Sequence, residues 1–345
     1  MENPQTLKQR WYLPQRNQIY HVQHRGEIPS IPSKDSEKNK MNAELQQELN
    51  AFKYDVYLCS YNAENNIQQV LESILQQTIK PRMIKVFDDN STDNTKPALA
   101  LMEYYYDNLE IIDSFIPHEY DTGRLPKNIN SILDSKDGYI MILSDDVILP
   151  KHYVESLARH LLENKNIAII SGNENLFNAN SNSPRGSGRL IDVDFFNNSL
   201  FAGKFPENIS WESALLFLAQ YEGYNTICIN EIKYRHLRAN GQKHNFKYYG
   251  ESMKMAGYSK LYVIGRLAKN LITGSEFPRS RIFHILLEYI ETKETNLYPE
   301  EFKRFISHKQ NQRLFQIIKT FITARLTIIL YAGILILALS GIHLR

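Results

Sequence analysis

The chain has 345 residues, 43% of them hydrophobic and 23% charged, with a formal net charge of +2. That length allows one large domain, or a domain with an appendage. The near-balance of charge excludes a generally basic surface, so no nucleic acid is expected among the partners. Cys59 and Cys228 lie in apolar, strand-like runs, which favours buried thiols over a disulfide. The N-terminus is polar and lacks the apolar core of a secretory signal.

Residues 1–50 read as a polar arm with a charged middle at Lys34–Lys40; Trp11, Tyr12 and Tyr20 are its docking candidates. A short helix is expected from about Asn42 to Phe52. Val56–Tyr61 reads as the first strand, and Asn62-Ala63-Glu64-Asn65 ends it. Ile67, Val70, Leu71, Ile74 and Leu75 then recur at helical spacing and predict a helix with one buried face. A strand ending at Asp88-Asp89 follows Pro81. Next come a helix over about 93–106, a strand at Leu109–Ile112 and a helix over about 125–133. A strand ending at Asp145-Asp146 precedes Pro150, which suits the first turn of a helix reaching about Asn164. Ile167–Ser171 is the next strand. Strands alternating with helices predict a mostly parallel sheet covered on both faces.

Between Gly172 and Ser210 the sequence is dense in Asn, Ser and Gly, with Ser183–Gly188 at its centre, and a flexible loop is expected. A helix over Trp211–Tyr221, a stop at Gly223 and a strand at Thr226–Ile229 follow. Arg235, His236 and Arg238 form a cationic segment, read either as a phosphate clamp or as a solvated basic loop. The C-terminal stretch Leu326–Ile342 is apolar and uncharged, close to the lower length for a membrane-spanning helix. Cations from Lys303 to Arg325 lie on its N-terminal side, which the positive-inside rule places in the cytosol. The other reading of this stretch is a buried core helix.

Two features of this pattern carry chemistry. The apolar runs Met83–Phe87 and Tyr139–Ser144 each end in an aspartate pair, Asp88-Asp89 and Asp145-Asp146. Open α/β sheets bind ligands where such strands emerge. Two carboxylate pairs on strands separated by helices predict one crevice for a polar ligand and a divalent cation. For Asp146 alone, a helix N-cap would serve as well.

Ser60-Tyr61-Asn62-Ala63-Glu64, Phe87–Thr95 with Asp88-Asp89, and Leu143–Asp146 together resemble the family 2 glycosyltransferases over about Asp55–Tyr224. The resemblance implies a GT-A fold, a three-layer α/β/α sandwich, and use of a nucleotide-activated sugar, UDP-linked by family expectation. It implies that Ser60, Tyr61, Asn62 and Glu64 line the nucleoside, that Asp89 contacts the base and Asp145 the ribose, and that Arg124 and Lys127 approach the diphosphate or ribose. It implies that Asp146 holds Mg²⁺ or Mn²⁺, with His236 as a further metal or diphosphate contact. The family's Asp-x-Asp is spelled Asp145-Asp146-Val147 here. Counting back from Gly223-Tyr224 places the family's Glu-Asp pair at Trp211-Glu212, which makes Glu212 the expected base although Trp211 departs from the pattern.

The expected organisation is an arm at 1–50, a GT-A domain at 51–265 with a nucleotide-binding half at 51–150 and an acceptor half at 151–265, a basic helical connector at 266–320 and a membrane helix at 321–342. The function expected is inverting, metal-dependent transfer from a nucleotide-sugar donor to a lipid-linked, glycan or protein acceptor beside the membrane. The location is a single-pass C-terminal anchor with the catalytic domain cytosolic. Two rivals are a nucleotidyltransferase, with attack at phosphorus, and a non-catalytic membrane adaptor on a degenerate GT-A domain.

Overall fold

The structure, a computed structural model, describes residues 34–114, 116, 121–174, 183–238, 248–274, 278–293 and 297–339, with backbone alone at 34–40, 321–322 and 324–339. The chain divides into two units, Met1–Ala43 and Glu44–Arg345. Of the first unit, the described part is the helical stretch that opens α1 (Lys34–Asn50). The rest of the expected arm, residues 1–33 with Trp11, Tyr12 and Tyr20, lies outside the described residues.

The second unit runs through β1 (Tyr54–Ser60), α2 (Ile67–Leu75), β2 (Met83–Asp88), α3 (Thr95–Tyr105), β3 (Leu109–Asp113), α4 (Arg124–Ile132) and β4 (Tyr139–Ser144). It continues with β5 (Val147–Ile148), α5 (Tyr153–Glu163), β6 (Ile167–Glu174), β7 (Arg189–Asp192), α6 (Val193–Asn198), α7 (Trp211–Tyr221) and β8 (Asn225–His236). Helices α8 (Tyr249–Met255), α9 (Lys260–Thr273), α10 (Ile282–Glu291) and α11 (Glu300–Leu339) complete it.

Among the described residues, eight strands form one sheet in the order β3-β2-β1-β4-β7-β6-β8-β5. Strand β1 pairs in parallel with β2 and β4, β2 with β3, and β6 with β8. Strand β7 runs against both its neighbours, and β5 against β8. The sheet is therefore mixed, where the sequence suggested a mostly parallel one. The antiparallel strand comes from the stretch expected to be a flexible loop: residues 189–198 are a strand and a helix, and Leu190, Ile191, Val193, Phe195 and Phe196 are all buried. Burial of those five apolar side chains outweighs the polar character of the surrounding sequence.

Alternation along the strands feeds two cores. Val56 and Leu58 of β1 pack with α2, α3 and α5 on one face, while Tyr57 packs with α4, α6 and α7 on the other. This is a three-layer α/β/α arrangement. The second core also takes Tyr298, Phe302 and Ile306, so the start of α11 belongs to the body of the sheet domain. Helices α8, α9 and α10 share a third, smaller cluster around Met253, Val263, Leu267, Ile285 and Tyr289.

Among the described residues no helix is long and apolar enough to cross a membrane. Helix α11 carries its backbone through to Leu339, but the side chains of 326–339, and residues 340–342 entirely, lie outside the described set. Cys59 and Cys228 are free thiols.

Candidate functional site

The site is built where β1, β2 and β4 end side by side. Parallel pairing aligns Ser60 with Asp88 across β1 and β2, and Cys59 with Ser144 across β1 and β4. The residues just beyond these pairs are therefore neighbours. The Asp89 amide donates to the Ser60 carbonyl at 2.8 Å, and the Tyr61 amide to Asp145 Oδ2 at 3.4 Å. Both aspartates thus flank the end of β1. Burial, followed by these two carboxylates, pushes the pKa of the partly buried Cys59 thiol well above its ordinary range.

The loops after β1 and β2 are laced together. Asn62 and Asn90 both take positive φ, at 50° and 60°. Asparagine tolerates that region better than most residues. The Asn62 amide donates to Ser91 Oγ at 3.0 Å, and Asn62 Oδ1 accepts from the Thr92 amide at 2.9 Å. The Ala63 amide donates to Thr95 Oγ1 at 2.7 Å, and the Glu64 amide to Asp93 Oδ2 at 3.2 Å. Glu64 in turn accepts from the amide and side chain of Asn94. Asn62 and Glu64 thus spend polar atoms on the neighbouring loop. The expectation that they line a ligand is joined by a structural role that needs none. Burial raises the Asp93 carboxyl, but hydrogen bonds from Thr95 and the Glu64 amide outweigh it and hold its pKa below the ordinary value.

Asp89 is 5% exposed and already engaged. Its carboxylate accepts from Arg124 Nε at 2.7 and 2.9 Å and from Arg124 Nη2. Arg124 opens α4 next to Gly123, whose Cα packs so close to the Glu207 carbonyl that a Cβ there would collide with it. Arg124 is thereby aimed at Asp89. Lys127 is exposed on the first turn of the same helix. Ser60 Oγ and Asp88 Oδ1 are buried without a hydrogen-bond partner among the described residues.

The second carboxylate pair meets the end of β8. Pairing of β5 with β8 sets Val147 against His236 and Ile148 against Arg235. That register brings His236 Nδ1 to 3.4 Å from Asp146 Oδ1. Arg238 reaches both carboxylates, with Nε 3.3 Å from Asp146 Oδ2 and Nη2 on Asp145 Oδ1. Burial pushes the Asp146 carboxyl up, yet His236 and Arg238 outweigh it and hold its pKa below the usual carboxylate range. Asp146 is therefore ionised at neutral pH. Arg235 does not join this group. Strand alternation turns it to the other face, where it lines a shallow cleft with Gln69 and Glu72 of α2, Gln76 just after that helix, and Lys151.

Glu212 sits on the first turn of α7, with its side chain 46% exposed. Beneath it lies a residue that the sequence reading missed. Arg189 of β7 is fully buried, and its Nη2 is 3.8 Å from Glu212 Oε1. Arg189 Nε donates to the Arg185 carbonyl at 2.7 Å, while Nη1 has no partner among the described residues. The Glu212 carboxylate rests on Gly186, where any Cβ would collide with it. The same turn is fixed to the Asp145-Asp146 strand, because the Ser144 amide donates to Ser187 Oγ at 2.9 Å. One short turn, 185–189, therefore touches Glu212 through Gly186 and Arg189 and the end of β4 through Ser187.

The set Asp146 and His236 offers a carboxylate oxygen and an imidazole nitrogen beside a second carboxylate. These donors suit Mn²⁺ or Mg²⁺ when a phosphate ligand and water complete the shell. Among the described residues no group of three or more His, Cys, Asp or Glu side chains is arranged to hold a metal by itself. Any ion here would depend on the ligand for its remaining contacts.

An α/β/α sandwich with carboxylates gathered at the ends of adjacent parallel strands is the layout of an α/β ligand-binding enzyme. Residues 55–204 match the sequence model of glycosyl transferase family 2, and this stretch is a family 2 glycosyl transferase domain. Protein CgeD of Bacillus subtilis (strain 168) is 33% identical over 116 residues, 32% of this chain and 26% of CgeD. UDP-Glc:alpha-D-GlcNAc-diphosphoundecaprenol beta-1,3-glucosyltransferase WfgD of Escherichia coli is 28% identical over 126 residues, 36% of this chain and 47% of WfgD. The match thus spans about a quarter and about half of these curated relatives. Among solved structures, the mannosyltransferase PcManGT from Pyrobaculum calidifontis, in complex with GDP-Man and Mn²⁺, superposes with a TM-score of 0.46 at 15% identity, over 83% of this chain and 80% of that one.

Proposed function

We propose that this chain is an inverting glycosyltransferase that moves a sugar from a nucleoside diphosphate, UDP in the first instance, to a hydroxyl of a lipid-linked acceptor. The observation that carries the reading is the meeting of Asp89 and Asp145 at the end of β1, with Asp146 joined to Asp145 through Arg238, inside the stretch that matches the family. WfgD, by its name, takes UDP-glucose and acts on a diphosphoundecaprenol-linked sugar, and this supports the choice of donor and acceptor class. Glycan and protein acceptors are the other candidates of the same chemistry.

In this reading Asp89, oriented by Arg124, accepts a base N–H, and Tyr61 with Asp145 borders the ribose. Ser60, Asn62 and Glu64 form the wall beside the nucleoside, and Lys127 contributes positive charge near the diphosphate. Asp146 and His236 would hold Mg²⁺ or Mn²⁺; bound, the ion would neutralise charge on the diphosphate. Arg238, now on both carboxylates, is the cation poised to transfer to phosphate. Glu212 takes the proton of the acceptor hydroxyl while that oxygen bonds to the anomeric carbon and the bond to the diphosphate breaks. Its exposure and its place at the start of α7 support that role. Arg235 has no part in it. The apolar continuation of α11 from Leu326 is read as a single-pass membrane anchor with the domain on the cytosolic side.

Calorimetric titration of the full chain in detergent with UDP and GDP, with and without Mn²⁺, tests the donor site. Metal-dependent binding of one nucleotide, lost in Asp146→Ala, is the expected result. A folded chain that binds neither nucleotide would move the reading to the non-catalytic adaptor. Release of pyrophosphate instead of nucleoside diphosphate during turnover would move it to a nucleotidyltransferase.

A further inference from the structure

Helices α9 and α10 bury one side in the cluster they share and leave apolar side chains on another. On α9, Leu261, Ile264, Leu271 and Ile272 are 63%, 56%, 57% and 79% exposed. At 100° per residue these four fall on one stripe, away from buried Val263 and Leu267. On α10, Phe283 and Ile290 are 66% and 65% exposed, two turns apart on one face. Large apolar side chains scattered singly need no explanation, but stripes on two packed helices do.

Two observations indicate what covers them. The first is charge. Residues 260–319 hold eleven Lys and Arg against six Asp and Glu, in a chain whose net charge is only +2. The second is continuity. Helix α9 crosses α11 where a Cβ at Gly265 would sit 2.7 Å from Leu314 Cδ1, and Ser259 Oγ bonds Asn311 beside it. The next residues of α11 leave the body, and Phe315, Ile317 and Ile318 are all exposed. The α9 stripe therefore begins at the point where α11 emerges. Apolar faces in a segment with an excess of cations, continuous with the helix read as the anchor, fit the interfacial zone of an anionic bilayer.

We propose that α9 and α10 lie on the membrane surface, with Ile264 and Ile290 among the side chains inserted at the headgroup boundary. This rests on the membrane attachment proposed for α11, but concerns different residues. The partner is a bilayer containing anionic phospholipid, and the consequence is a fixed orientation of the sheet domain over a membrane-borne acceptor.

The test uses the full chain carrying Ile264→Cys or Ile290→Cys labelled with a polarity-sensitive fluorophore, with Glu163→Cys on α5 as the distant control and unaltered chain as the labelling baseline. Each is mixed with phosphatidylcholine–phosphatidylglycerol vesicles containing doxyl-lipid quencher. Blue-shifted emission and quenching of about two-fold or more at 264 and 290, and none at 163, are expected for helices seated about 5–10 Å into the boundary. Flotation of the chain with vesicles without quenching at 264 and 290 would overturn this inference and leave the α11 anchor standing. Failure of the full chain to float would overturn both. Blue-shifted probes in the absence of vesicles would place a second copy of the chain on this face, and the inference would fall.

Discussion

The Asp89–Arg124 pair offers the sharpest quantitative test of how the site is held. The two side chains are 8% and 16% exposed. Removing one member of a buried, hydrogen-bonded ion pair costs ~3–5 kcal/mol, because the other charge is left uncompensated. Arg124 keeps some solvent and a 3.4 Å contact to the Ile116 carbonyl, so Asp89→Asn is expected at the low end, about 3 kcal/mol. For a unit of this size that is a melting shift of about 5 °C. Arg124→Met removes the cation and leaves the carboxylate. The double variant Asp89→Asn/Arg124→Met removes both and should recover much of the loss, giving a coupling of about 2 kcal/mol. Urea unfolding of the four proteins measures the cycle. A coupling near zero would refute the view that Arg124 orients Asp89 through a direct pair. The same proteins titrated with UDP should show affinity falling at least about ten-fold in Asp89→Asn, the worth of one charge-assisted hydrogen bond.

Other outcomes follow from the same geometry. Gly186→Ala puts a methyl against the end of a flexible glutamate. It should shift the melting point little while lowering kcat up to about 100-fold, as a displacement of about 1 Å can do. Glu212→Gln should abolish transfer and leave UDP affinity nearly unchanged in calorimetry; unaltered transfer would remove Glu212 as the base. The Asp93 carboxyl is held below its ordinary pKa, so its hydrogen bonds stabilise the fold above about pH 4 and are lost as pH falls through the lower folded value. Thermal melts from pH 6 to pH 2 should therefore show Asp93→Asn converging on the unaltered chain at the acid end. A difference that does not change with pH would contradict this.

The first half of the domain was legible because each strand there is an apolar run bounded by a turn, and each helix shows a clean 3.6-residue stripe. Trp211–Tyr221 was bounded correctly by the same signal. Strand β7 and helix α6 are masked in the sequence by the Asn, Ser and Gly on either side; Leu190, Ile191, Val193, Phe195 and Phe196 are the signal that marks them. Proximity in sequence groups Arg235, His236 and Arg238, but the structure separates Arg235 from the other two. The period of two in a strand would have sent Arg235 away from His236, had β8 been extended as far as His236. Arg189 could not be found by pattern. Nothing in Gly188-Arg189-Leu190 announces that the arginine turns inward beneath a glutamate more than twenty positions later in the chain.

The lacing of the loops after β1 and β2 has a thermodynamic consequence for ligand capture. Asn62, Ser91, Thr92, Asp93 and Thr95 already hold one another through backbone and side-chain bonds. On the proposed reading, a nucleoside arriving at this wall would meet groups whose conformational entropy was spent during folding. Ordering costs of roughly 0.5–1.5 kcal/mol per immobilised side chain are then absent from the binding step on this side. Binding as proposed would then be docking onto a surface whose hydrogen bonds are already made.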